Sequence, residues 1–147
     1  MAPTTVLIAA CAFAEELSAE RVSAAIGRGL EMAGLPAPDL CPIDEGPSSE
    51  CPNEIRARLD ALDFDARMRR ARAVIVADSR LAESTLRGSA TFEIATRARQ
   101  AGVPAYAVTG GNALDLLDAR ILDLQVILEA HDIRGLRNAG RKLAVLI

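Results

Sequence analysis

Short apolar, β-branched runs alternate with segments of helical period along the whole chain, and this alternation limits the fold more than any other feature. Thr4–Ala10 reads as a buried parallel strand. Ser18 is placed to cap the next helix, with Leu17 and Val22 in the staple positions. Val22, Ala25, Ile26, Gly29, Leu30 and Ala33 form its apolar face, and Gly34 followed by Leu35-Pro36 ends it. Asp39–Ile43 is a weaker strand, and Asp44–Pro52 is loop-like. Asn53 is placed to cap a helix that buries Ile55, Leu59 and Leu62 and either continues or breaks at Asp63. Ala73–Ala77 is the clearest central strand.

The second half repeats the rhythm. Ser89 caps a helix over Ala90–Ala101, and Gly102 stops it. Pro104–Val108 is a strand, Thr109-Gly110-Gly111 the turn after it, and Asn112 the cap of a short helix through Leu117. Leu124–Leu128 is the last strand, and Ile133, Leu136, Gly140, Leu143 and Ile147 line one face of a terminal helix. The pattern predicts an α/β fold: a single doubly wound parallel sheet of about five strands, flavodoxin-like or Rossmann-like, with helices on both faces. At 147 residues and 50% hydrophobic, the expectation is one domain over 1–147 with a real core.

Several function classes fall away on composition. With 17 basic against 20 acidic residues, the net charge of -3 offers no excess to displace nucleic-acid counterions. Phe13, Phe64, Phe92 and Tyr106 are too few for base stacking. Val6–Phe13 is too short to cross a bilayer, and the start of the chain lacks a basic signal-type flank, so the expected location is cytoplasmic, with no membrane partner. Cys11, Cys41 and Cys51 are odd in number and lack CxxC spacing, which argues against a disulfide framework or zinc site. His131 is the single histidine and reads as a surface or capping residue rather than a catalytic one.

In a doubly wound sheet, ligands bind beyond the carboxyl ends of the strands, here at Cys11, Asp44, Asp78 and Thr109-Gly110-Gly111. The stretch after the first strand carries neither a dinucleotide glycine fingerprint nor a GxxxxGK[ST] loop, and Glu15 and Glu16 would repel a pyrophosphate. Cys11 lacks the arginine one turn on that a thiol phosphatase needs, and reads as a buried structural thiol. A receiver-like phosphoacceptor module would use Asp78, Glu15/Glu16 and Thr109, but Glu129-Ala130-His131 stands where its lysine belongs. Arg67–Arg72 is a basic cluster, read as a solvated helix end or a binding patch.

Asp78–Ser89 (DSRLAESTLRGS) holds the densest polar chemistry. Arg80 and Arg87 could clamp an anion, with hydroxyls from Ser79, Ser84, Thr85 and Ser89 and the N–H groups of the following helix. An ordinary polar loop with a helix cap fits the same residues. Asp78, Ser79, Arg80, Thr85, Arg87 and Ser89 are the ligand-binding candidates; Cys11, Glu15, Asp44 and Thr109 are secondary ones. Remodelled chemistry could use Asp78, Asp44, Glu15 or Cys11, and a divalent metal could draw the carboxylates together, although carboxylates at such positions also read as caps and turns.

This segment resembles the glycerate kinases that begin with a DSFKGSLSA motif. Ile75–Gly110 aligns without a gap to their ITGEGRLDGQTLRGKAPxGVAxxAxxxGVPVIAxAG, sharing Arg80-Leu81, Thr85-Leu86-Arg87-Gly88, Ala95, Gly102-Val103-Pro104, Ala107 and Gly110. Ile8–Gly29 is similar to IAPDSFKGSLSAxEVAxAIxxG, Pro42–Gly46 to PxADGGEGT with one residue lost, and Leu136, Asn138-Ala139 and Leu143–Ile147 to the closing helix. The departures fall on polar positions. Cys11, Ala12 and Ala14 stand where the family has Asp, Ser and Lys; Ala82 replaces the Asp of RLDG, Ser89 the Lys of RGK, and Ala77-Asp78-Ser79 the GEG. Family members carry a second domain between the ADGGEGT and ITGEG segments, where this chain has one helical bridge, roughly Asn53–Arg70.

The resemblance implies a truncated, catalytically degenerate glycerate-kinase-like domain, since phosphoryl transfer depends on placed cations and a base. The expected role is non-catalytic binding of a small anionic metabolite, or of a protein partner, including a second copy of the chain. No cofactor is expected, with ATP and magnesium required only if kinase activity persists. The alternatives are an enzyme, kinase or remodelled and metal-dependent, acting on a small hydroxy acid, and a receiver-like signalling module.

Overall fold

A computed structural model describes residues 3–43 and 52–147. Its elements are β1 (Thr5–Ala10), α1 (Ala19–Met32), β2 (Asp39–Pro42), α2 (Pro52–Ala61), α3 (Phe64–Arg69), β3 (Ala71–Asp78), a 3₁₀ turn (Glu83–Arg87), α4 (Ala90–Ala101), β4 (Ala105–Thr109), α5 (Leu116–Leu122), β5 (Leu124–Glu129) and α6 (Ile133–Leu146). The five strands form one parallel sheet in the order β2-β1-β3-β4-β5. This is the doubly wound, flavodoxin-like order that the alternation predicts.

Side chains alternate along a strand, so each face of the sheet gathers its own core. Val6, Ile8, Ala73, Ile75, Tyr106 and Val108 pack under α1 and α6; Leu7, Ala9, Val74, Val76 and Ala105 pack under α2, α3 and α4. The α1–α6 contact is backbone to backbone. A Cβ on Gly29 would lie 2.0 Å from the Arg137 carbonyl oxygen, and one on Gly140 2.2 Å from that of Ile26. Helix axes can approach this closely only where no side chain intervenes.

The two serine caps act as the sequence predicts. Ser18 Oγ accepts from Arg21 N, and Ser89 Oγ from Phe92 N. Three readings change, and the open choice at Asp63 is decided. Asn53 is not a cap but lies inside α2, which opens on Pro52, a residue whose fixed φ suits a first helical position. The bridge to β3 is two helices, broken where Asp63 adopts φ 54°. The central strand is longer than Ala73–Ala77, running over Ala71–Asp78. The short helix does not start at Asn112, because Asn112 and Ala113 are tied elsewhere: Asn112 N donates to Glu129 Oε1, Ala113 N to the Leu81 carbonyl, and Asn112 Oδ1 accepts from Leu114 N. Asp115 caps α5 instead, accepting from Asp118 N at 2.8 Å.

The basic cluster is largely the solvated helix end that the sequence predicts, with Arg69 and Arg70 exposed at the end of α3, while two of its members make structural contacts. Arg67 makes a two-pronged contact to Asp39 and also bonds the Leu40 carbonyl, fastening α3 to the edge strand β2. Arg72 donates to the Ile147 carbonyl. Among the described residues, no helix is long and apolar enough to cross a membrane.

Candidate functional site

The carboxyl edge of the sheet is built from the loops after β1, β3, β4 and β5. The loop after β1 closes on itself. Cys11 N donates to Ala77 O, Phe13 N and Ala14 N to Leu17 O, and Leu17 N to Ala14 O. Arg21 reaches back to the Glu16 carbonyl. Phosphate loops work by aiming unengaged amides at a ligand. Here four amides of the loop are engaged by protein carbonyls. Cys11 is buried, Phe13 packs against the core, and Glu15 and Glu16 face solvent.

The loop after β3 is braced by its neighbours instead. Leu81 is fully buried, and its N–H and carbonyl are bonded to Gly111 and Ala113 of the loop after β4. Gly110 must be glycine for this, since a Cβ would lie 2.6 Å from the Ser79 carbonyl oxygen. Thr85 is buried and its Oγ1 accepts from Ala82 N, shaping the 3₁₀ turn; Gly88, at φ 96°, redirects the chain into α4. Ser89 also donates to the Thr85 carbonyl.

Asp78 ends β3 with its carboxylate against the first turn of α4. Oδ2 accepts from the fully buried Thr91 Oγ1 at 2.7 Å, and Oδ1 from Arg80 N at 3.5 Å. The positive end of that helix therefore already faces a carboxylate of the protein itself. Asp78 and Thr109 are register partners on β3 and β4, and Thr109 is buried with its Oγ1 bonded within the Thr109–Gly111 turn.

A cleft of about 440 Å³ opens between these loops, lined by Ser79, Arg80, Gly110, Gly111, Asn112, Ala113 and Glu129. Of the six ligand candidates, Ser79 and Arg80 line it. Asp78, Thr85 and Ser89 are engaged in bonds within the surrounding loops, and Arg87 ends the 3₁₀ turn, paired with Glu83 at 3.5 Å. Arg80 and Arg87 thus do not meet across the cleft. Among the secondary candidates, Cys11 and Thr109 are buried, Glu15 is exposed, and Asp44, like Cys51, lies outside the described residues. Among the described residues, no group of three or more His, Cys, Asp or Glu side chains is placed to hold a metal ion.

Asn112 and Glu129 are the polar lining residues that are not among the sequence's ligand candidates. Glu129 lies at the end of β5, where a receiver-like module would carry its lysine. Lys142 is the chain's one lysine, and it sits late in α6, the helix that leads away from the end of β5 where the cleft opens.

Shifted ionisation lies elsewhere. Burial pushes the Cys41 thiol up, opposed by Arg67 and reinforced by Asp39. The hydrogen bond to Asp39 holds Arg67 in its charged form. Arg97, despite burial, is held charged by hydrogen bonds to Glu93 and Asp60 with Asp65 nearby. Desolvation, then the charges of Asp115 and Glu83, raise Asp118.

Comparison with known proteins places these features in context. The model of the glycerate kinase family matches residues 47–134, which includes the gapless Ile75–Gly110 likeness but not those at Ile8–Gly29 and Pro42–Gly46. Among solved structures, a candidate glycerate kinase 2 from Salmonella typhimurium LT2 is 18% identical, with a TM-score of 0.47, over 63% of this chain and 25% of that one. The chain thus spans a quarter of that protein. A diflavin flavoprotein A3 from Nostoc sp. is 14% identical, with a TM-score of 0.54, over 99% of this chain and 94% of that one, and shows a shared flavodoxin-like fold. No curated protein matches the chain in sequence.

Proposed function

The chain belongs to the glycerate kinase family, and on that premise we propose a domain that binds a small anionic metabolite at the Arg80 cleft without transferring a phosphoryl group. The observation that carries this reading is the closed loop after β1. Where the family resemblance puts Asp, Ser and Lys, the loop presents a buried thiol and two methyl groups, and its amides at Cys11, Phe13 and Ala14 are spent on Ala77 and Leu17. A metaphosphate-like transition state spreads charge over three oxygens and needs aligned cations and a base. Neither Cys11 nor Ala12 nor Ala14 supplies one.

The Arg80 cleft keeps what simple binding requires. Arg80 is exposed and its guanidinium has no carboxylate partner among the described residues, and the Ser79 hydroxyl lines the same space. A guanidinium offers a planar pair of donors that matches a carboxylate. Retention of Arg80-Leu81 and Gly110, beside loss of Asp and Lys at Ala82 and Ser89, fits a site that still holds an anion but no longer activates it.

The test is a thermal-shift and NMR titration with D-glycerate, L-lactate and inorganic phosphate, on the native chain and on Arg80→Ala. A bound ligand stabilises the folded state according to its saturation. The expected result is a saturable rise in Tm with at least one of these anions that disappears in Arg80→Ala. Equal shifts in both proteins would remove the cleft from the account.

A further inference from the structure

Resting on the reading of the Arg80 cleft as an anion site, we infer that its ligand is a zwitterion of the α-amino acid class, held by its carboxylate on Arg80 and by its ammonium on Glu129. The two residues line one cleft. Arg80 follows β3 and Glu129 ends β5, with β4 and its Gly110-Gly111 turn between them. Two inter-strand spacings separate their backbones by about 10 Å. They form no ion pair with each other, and neither has another charged partner among the described residues.

That gap suits a small ligand bearing both charges. Two charge-assisted hydrogen bonds of about 2.8 Å, joined by the short span of one α-carbon, bridge it. Glu129 spends Oε1 on Asn112 N at 3.0 Å and keeps Oε2 for an ammonium. The same bond fixes the carboxylate at the rim. Asn112 uses its Oδ1 on Leu114 N, which leaves its NH₂ as a further donor to a carboxylate, and the Ser79 hydroxyl is a second. The glycine floor leaves room for a compact ligand backbone.

The carboxylate also discriminates. A doubly charged phosphate on Arg80 would sit against Glu129, and like charges at this separation disfavour each other. A hydroxy acid satisfies Arg80 but gives Glu129 only a neutral donor, a weaker bond than an ammonium makes.

The experiment titrates ¹⁵N-labelled protein with L-alanine and L-serine, with L-lactate and L-glycerate as the hydroxyl analogues, and with inorganic phosphate. The expected result is a saturable movement of the Gly110, Gly111 and Asn112 amides with the amino acids, at least tenfold tighter than with their hydroxyl analogues. In Glu129→Gln, which keeps an oxygen to accept from Asn112, amino acid affinity falls about tenfold while lactate affinity holds or improves. Lactate binding as tightly as alanine, in both proteins and dependent on Arg80, would overturn the zwitterion while leaving the anion site standing. No movement with any of the five compounds would overturn both.

Discussion

The loops after β1 and β3 leave neighbouring, hydrogen-bonded strands at the same edge of the sheet, yet they have opposite characters. The first satisfies itself: its bonds run from Phe13 and Ala14 to Leu17 and back, and its side chains are apolar or turned to solvent. The second is held by others, through Leu81 to Gly111 and Ala113 and through Asp78 to Thr91, which leaves Ser79 and Arg80 at the cleft. A loop braced from outside can present polar side chains without collapsing onto them. A loop that closes locally has fewer amides to offer. The contrast leaves polar side chains facing the cleft at one strand end and not at its neighbour.

Leu81→Ala is the strongest way to break this comparison. Leu81 is fully buried at the junction of two loops, and truncation should cost about 2–5 kcal/mol. Phe13→Ala, in the self-closed loop, removes a partly exposed ring and should cost less. Urea denaturation of both variants checks the ordering, and a larger loss at Phe13 would reverse it. Gly110→Ala comes next. Its Cβ would meet the Ser79 carbonyl oxygen at 2.6 Å, so the two loops must part, at about 1–3 kcal/mol, and the amide shifts of Gly111 and Asn112 should move with them.

Thr91→Val keeps shape but deletes the bond to Asp78. Because Asp78 is partly solvated, the expected loss is about 1 kcal/mol by chemical denaturation at neutral pH. Asp118→Asn is the smallest effect. Desolvation, then the charges of Asp115 and of Glu83 in the braced loop, raise the Asp118 carboxyl. A carboxyl with a raised folded-state pKa contributes stability below its unfolded pKa and loses it as pH rises through the folded one. The variant should therefore show a slightly higher Tm than the native chain at neutral pH, and the difference should vanish in acid.

The elements that were legible in the sequence are those set by local rules. AVIVA at Ala73–Ala77 and the caps Ser18 and Ser89 needed only side-chain period and hydrogen-bonding capacity. Asn112 was misread because a residue suited to capping is equally suited to an Asx turn, and the choice was made by Glu129 and Leu81, distant in sequence. Arg87 was legible as a cation but not as the partner of Glu83, one helical turn away. Glu129 could not be assigned to the cleft from its own strand, because its place there depends on β4 lying between β3 and β5. The closure of the loop after β1 was visible only as a loss of polar residues, not as a loss of amides.

The central claim is that this family member binds without phosphorylating. The most direct measurement is ³¹P NMR of the protein with magnesium, ATP and D-glycerate, followed over many hours against a protein-free control. The account predicts identical spectra, with no phosphoglycerate resonance and no excess ADP. A phosphoglycerate signal that grows with protein concentration would contradict it.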